Sequence, residues 1–134
     1  MTNPITFDDF AKVEMKIGKI LSADIVEGSE KLLKLSVDFA EDAPRQVISG
    51  IAKQFVVAGK AVQEGDEGDA EQELEIDTKT ITGLVGNSFV FITNLEPRMI
   101  MGLESQAMIV AGTSEIGLAL MTPTIELPPG TKLS

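Results

Sequence analysis

The sequence predicts an all-β domain, built as a small barrel or a sandwich. Short alternating apolar runs recur along the chain, separated by turns rich in glycine and proline. The cleanest run is residues 31–39, where Leu33, Leu35, Val37 and Phe39 alternate with Lys34, Ser36 and Asp38. A third observation is Gly18, where the alternation of a long preceding run breaks and Ile20 and Leu21 fall side by side. A glycine at such a break suggests a bulge, and bulged, coiled strands are what a small closed barrel needs.

The elements follow in order. Thr6 precedes Phe7-Asp8-Asp9-Phe10, a short helical lead-in with Thr6 as its cap and two acids in the first turn. Phe7, Phe10 and Val13 are expected to anchor it to the core. Residues 15–26 read as a long strand, 27–30 as a turn, 31–39 as a strand, 40–44 as a turn and 45–50 as a third strand, which makes a meander. Residues 51–60 suit a short helix. Leu74 and Ile76 alternate with acids and could form a hairpin strand with residues 78–82. Residues 85–95 contain Phe89, Val90, Phe91 and Ile92 in succession, so that strand is expected to be buried on both faces. Residues 104–111 read as a further strand. Residues 118–123 and 124–127 are short extended pieces before the turn Pro128-Pro129-Gly130. Apolar residues in so short a tail suggest that it packs against something, such as a second subunit.

The 134 residues fit one domain, and neither a repeat nor a linker interrupts them. No apolar run reaches the length of a membrane span, and residues 1–4 begin no secretory signal, so the expected location is the cytoplasm. There is no cysteine, which excludes disulfides and thiolate metal sites, and no histidine, the commonest general base and metal ligand. No phosphate-cradling glycine motif occurs. These absences disfavour catalysis, and no cofactor or metal is expected.

The net charge of −10 argues at first against a nucleic-acid partner. Its distribution reverses that reading. Residues 64–77 (EGDEGDAEQELEID) hold eight of the 21 acids and no base, which leaves 13 acids against 11 bases elsewhere. The remainder is close to neutral, so sign must be judged patch by patch. The acidic stretch reads as an insertion around residues 63–80. Its spacing lacks the glycine pattern and final glutamate of a calcium loop.

Five segments carry a resemblance: FDDFAKVEMKIGKI (7–20), VEGSEKLLKLSVDF (26–39), QVISGIAK (46–53), NLEPRMIMGLESQAM (94–108) and LPPGTKLS (127–134). In this order, over most of the chain, they resemble the tRNA-binding domain family. That module occurs at the carboxyl end of bacterial methionyl-tRNA synthetase, as a free-standing tRNA-binding protein, and in endothelial monocyte-activating polypeptide. The resemblance implies a five-stranded OB-fold barrel whose terminal extensions build a homodimer. It also implies tRNA recognised by shape and backbone, with no chemistry performed. Three departures stand out. Met99 replaces the family's usual lysine, Ala107 replaces its usual glycine, and residues 54–83 replace a short segment with a long acidic one.

The matching motifs supply the candidate tRNA-binding residues. Lys31 and Lys34 lie at the turn and first half of the second strand, where a lysine can neutralise a phosphate or simply be solvated. Ser49 and Lys53 bracket a strand end, whose hydroxyl and amides could line an RNA groove or just close a turn. Arg98 can grip a phosphate bidentately or stack on a base. Asn94 and Ser105 can bond a base edge or a ribose hydroxyl, or cap a turn. Met108 can form an apolar platform or belong to the core. With six Phe and neither Tyr nor Trp, extensive stacking on single strands is not expected.

Two other readings of the same fold stay open: a dimeric peptide-binding chaperone, and a bare dimerisation module tethering a methionyl-tRNA synthetase catalytic chain. An unrecognised carboxylate enzyme is the remaining one.

Overall fold

The structure is a computed structural model that describes residues 3–28, 32–51 and 83–134. The expectations for residues 52–82, including the acidic stretch, the helix and the added hairpin, lie outside the described residues, as do Lys31 and Lys53.

Helix α1 is one turn, Phe7–Phe10, and the Thr6 hydroxyl accepts the Asp9 N–H at 3.0 Å, the expected cap. The expected anchoring fails. No residue of α1 is buried, and Phe7 is 78% exposed.

Strand β1, Met15–Ile25, is the spine of the fold. Its first half pairs with β4 (Ser88–Ile92) and, at Met15 and Lys16, with β10 (Lys132–Leu133). From Lys19 onward it pairs with β2 (Leu33–Asp38), which in turn pairs with β3 (Arg45–Ser49). β4 continues to β7 (Met108–Ile109), so the main sheet runs β3-β2-β1-β4-β7. All these pairings are antiparallel.

A bulge does interrupt β1, but it falls between Ile20 and Ser22, at Leu21, and not at Gly18. Gly18 has another cause. A methyl group there would stand 2.5 Å from Val37 Cγ1, 2.6 Å from Phe39 Cε1 and 2.9 Å from Phe91 Cδ1. The two rings meet edge to face, 5.3 Å apart, directly over the bare backbone. Around them lie Ile17, Ile20, Leu33, Leu35, Val37 and Val47, all essentially without solvent contact. The alternation in β2 is as predicted, with Leu33, Leu35 and Val37 inward and Lys34, Ser36 and Asp38 half-buried. In β4 only Phe91 is fully buried and its neighbours are half-buried, so the expectation of a strand buried on both faces fails.

The sheet then curls back on itself. β3 meets the segment between β6 and β7 through side chains as well as backbone. The Gln106 N–H donates to the Gln46 carbonyl, and the Gln46 N–H donates to Gln106 Oε1, both at 2.8 Å. The Ile48 N–H donates to Ser105 Oγ at 2.9 Å. The result is a nearly closed five-stranded barrel, the OB architecture the resemblance implies.

The predicted strand over 104–111 is therefore broken. It divides into β6 (Leu103–Ser105), β7 and the start of β8 (Ala111–Ser114), because Ser105 and Gln106 turn aside to close the barrel. β8 forms a hairpin with β9 (Gly117–Leu120). Leu118 and Leu120 pack against the core of their own chain, while Met121 and Ile125 stay exposed and residues 124–127 form no strand.

Candidate nucleic-acid interface

Sequence reasoning missed a hairpin on which the site depends. β5 (Arg98–Ile100) pairs with β6 across a two-residue turn, Met101-Gly102. Both turn residues have positive φ, 51° and 81°. That is the geometry of a type I′ turn, whose twist matches its flanking strands. The available signal was Gly102, preceded by the apolar run Met99-Ile100-Met101 and followed by Leu103.

The hairpin is fixed to the barrel from below. Arg98 is the register partner of Ser105. The Ser105 hydroxyl accepts the Ile48 N–H and donates to the Ala107 carbonyl at 3.1 Å. Gln46 Nε2 adds a bond to the Glu104 carbonyl at 2.9 Å. On β3, Ile48 is also the register partner of Lys34 on β2, so the two share the outer face of the barrel.

The β5–β6 hairpin thus borders that outer face, and the two meet at a cleft of about 70 Å³. Leu95, Ile100, Ala107, Met108 and Ile48 form its apolar walls, and Glu96 and Arg98 are the charged residues lining it. A polar groove lies farther along the same sheet, lined by Ser22, Asp24, Lys34, Ser36 and Gln46.

The candidates separate on this geometry. Arg98 is exposed and forms no ion pair among the described residues. Met108 is 46% exposed at the cleft. Lys34 is half-buried on the outer face, with Asp24 beside it in register and no ion pair among the described residues. Ser105 is buried, and its hydroxyl is committed to the barrel seam. Ser49 pairs with the fully buried Leu33, so it sits on the inner side at the end of β3.

Asn94 lies away from the cleft. Its Oδ1 accepts the Glu14 N–H at 2.9 Å and its Nδ2 donates to the Lys12 carbonyl, which ties the lead-in segment to the end of β4. Beside it, the Thr93 hydroxyl donates to the Glu14 carboxylate. That bond holds the Glu14 carboxyl below its ordinary value, against the opposing cost of burial and with Lys16 adding to the lowering.

Arg45 was not singled out from the sequence, yet it organises one end of the barrel. Nη1 donates to the carbonyls of Thr93 and Gln106 at 2.6 and 3.1 Å, and Nε and Nη2 grip Glu41 at 2.9 and 2.8 Å. The guanidinium also lies 5.4 Å from the Phe39 ring centre. Arg45 therefore already makes four hydrogen bonds within the protein, whereas Arg98 has no ion pair among the described residues.

Residues 15–66 match the family described as "Putative tRNA binding domain". The chain is 38% identical over 130 residues to a methionine–tRNA ligase of Methanocella arvoryzae, and 40% over 132 residues to one of Methanospirillum hungatei. These alignments cover 97% and 98% of the chain but only 15% and 16% of the ligases. Among solved structures, a MetRS-related protein from Pyrococcus horikoshii superposes with a TM-score of 0.73 at 28% identity, covering 99% of this chain and 100% of that one. The chaperone CsaA of Bacillus anthracis shares the fold, with a TM-score of 0.68 at 22% identity over 98% of this chain and all of that one. The same segment thus recurs inside methionine–tRNA ligases from separate organisms, and residues 15–66 of this chain carry the tRNA-binding domain profile.

Proposed function

We propose that the chain binds tRNA without catalysing a reaction, as a module of methionyl-tRNA synthetase or a protein working beside its catalytic chain in the cytoplasm. The β5–β6 hairpin and the outer face of β2 and β3 carry the contact. The observation that supports this most is Arg98, exposed and unpaired among the described residues, on a hairpin hydrogen-bonded to the barrel face. A guanidinium so placed can grip a phosphate without first breaking an internal bond. Lys34 adds a second positive charge on the same side. Asp24, Glu96 and Glu104 stand nearby, so the face is mixed in sign and the binding is weak and salt-sensitive.

A gel shift with bulk tRNA over a salt series tests this. Three or four phosphate contacts give a log–log slope of about −3. A slope near zero, or displacement by an unfolded peptide but not by excess tRNA, contradicts it. The peptide-binding reading has one observation in its favour, the exposed apolar side chains Leu95, Met99 and Met101 on and beside the hairpin. No helix among the described residues is long and apolar enough to cross a membrane.

A further inference from the structure

We propose that the cleft under the β5–β6 hairpin is a guanine-selective pocket for one unstacked nucleotide, with Glu96 reading the base and Arg98 holding its phosphate. This rests on the tRNA-binding reading and adds to it a base-reading residue that a purely phosphate-directed footprint does not need.

The argument begins from the two charges. Glu96 and Arg98 both line the cleft, two residues apart, and both are exposed. The ion pairs among the described residues are Lys12 with Asp9, Lys16 with Glu14, and Arg45 with Glu41. Glu96 and Arg98 therefore do not neutralise each other. A free phosphate is a poor occupant, because the carboxylate repels it. An apolar side chain satisfies neither charge.

A nucleotide satisfies both. It presents hydrogen-bond donors at one end, a phosphate at the other and a flat apolar surface between. Leu95, Ile100 and Met108 supply matching apolar walls, and aliphatic or thioether groups pack well on a ring face. The cleft of about 70 Å³ has room for several water molecules, or for one edge of a heteroaromatic ring.

The carboxylate then selects the base. Ionised, it is acceptor-only, with two oxygens side by side. Guanine carries two adjacent donors, N1–H and the N2 amine, on its Watson–Crick edge. Adenine and cytosine set an acceptor beside their donor on that edge, and uracil flanks its single N–H with two carbonyls. Guanine alone meets the carboxylate with two parallel bonds. Because single-stranded RNA bases are read by edge bonds and packing, the pocket takes a base from a loop or an end, not from within a helix.

The test is an NMR titration of the ¹⁵N-labelled chain with the 5′-monophosphates of guanosine, inosine, adenosine, cytidine and uridine. Guanosine monophosphate should move the amides of residues 95–108 and bind about tenfold more tightly than inosine monophosphate, which lacks the N2 amine. Glu96→Gln should erase that preference, and Arg98→Ala should weaken all five alike. Glu96 is exposed, so its replacement leaves the fold intact, which the spectrum itself reports. Equal shifts from all five nucleotides, no shifts, or shifts from an apolar heptapeptide alone would each overturn the proposal. Bulk tRNA is run in parallel. Retained tRNA without guanine preference sinks the pocket alone, and guanine preference without tRNA retention sinks the tRNA reading alone.

Discussion

Ser105 stands in for a strand backbone opposite Ile48. Its hydroxyl accepts the Ile48 N–H at 2.9 Å at the seam where β3 would otherwise need a neighbouring carbonyl, and it is itself only 7% exposed. Replacing it with alanine leaves that buried N–H without a partner. Ser105→Ala should lower stability by about 1–3 kcal/mol. Urea unfolding measures this, and an unchanged midpoint would show that the seam does not depend on the hydroxyl. Any loss of RNA affinity in this variant should track loss of the hairpin's position, not loss of a direct contact.

Gly18→Ala tests the packing of the aromatic pair. The new methyl would sit within 3 Å of Val37, Phe39 and Phe91 at once. Overpacking of this kind costs about 1–3 kcal/mol. The drop should appear in thermal unfolding, and Phe39→Leu in the same chain should recover part of it by making room.

Acid should loosen the barrel end where Arg45 sits. The hydrogen bond from Arg45, together with its charge, holds the Glu41 carboxyl below its ordinary value of 4.5. The unfolded chain takes up that proton more readily, so the stabilisation is fully present above pH 4.5 and is lost as pH falls through the lower folded value. Glu41 is partly exposed, which makes the effect modest. Stability measured from pH 6 down to pH 3 should fall less steeply in Glu41→Gln than in the parent. Parallel curves would exclude Glu41 as a contributor.

Arg98→Ala should weaken tRNA binding by about 1–3 kcal/mol for every tRNA tested and reduce the salt slope by about 1. Unfolding midpoints should not move, since Arg98 has no ion pair among the described residues. Loss confined to one tRNA species would indicate base reading by Arg98 itself.

The chain should associate as a homodimer at micromolar concentration. Ile5, Phe7, Phe10 and Val13 cluster in the lead-in with 40–78% of their surface exposed, a larger apolar display than a small monomer normally leaves in water. Phe7→Asp should shift light scattering toward the monomer mass. If the parent already scatters as a monomer, the proposal fails.

Much of the barrel was legible because its strands face a single core. Leu33, Leu35, Val37 and Phe39 alternate against Lys34, Ser36 and Asp38, and that pattern has one solution. The lead-in misled for a related reason. Helical spacing of Phe7 and Phe10 identifies an apolar face but not what covers it. Gly18 was read as a backbone irregularity when its role is to let two distant rings approach, a relation no local window contains. Asn94 and Ser105 stood out as polar residues in the densest motif, yet they spend their hydrogen bonds on Lys12, Glu14, Ile48 and Ala107. Polarity marks a residue that needs partners, and only the fold says whether those partners are the protein's own. Arg98 and Glu96 have none among the described residues, and that distinction was invisible before the hairpin was placed.

The divided allegiance of β1 sets the order in which the molecule assembles. Its second half pairs with β2, and β2 with β3, over separations of at most 19 residues, as from Lys19 to Asp38. Its first half pairs with β4 at separations of 69 to 77 residues, from Lys19 with Ser88 to Met15 with Ile92. Contacts between near neighbours cost less chain entropy to close, so the β1–β2–β3 meander is the element able to form early, and docking of β4 onto the waiting half of β1 comes late. Until β4 arrives, the Phe39 ring lacks its partner Phe91 and the seam on β3 has nothing to close against. The hairpin bearing Arg98, with Glu96 just before it, lies beyond β4 in the chain and is fastened to β3, so it takes its position only at the final step. The proposed RNA contact therefore needs the completed barrel, because the meander alone offers only the Lys34 half of it.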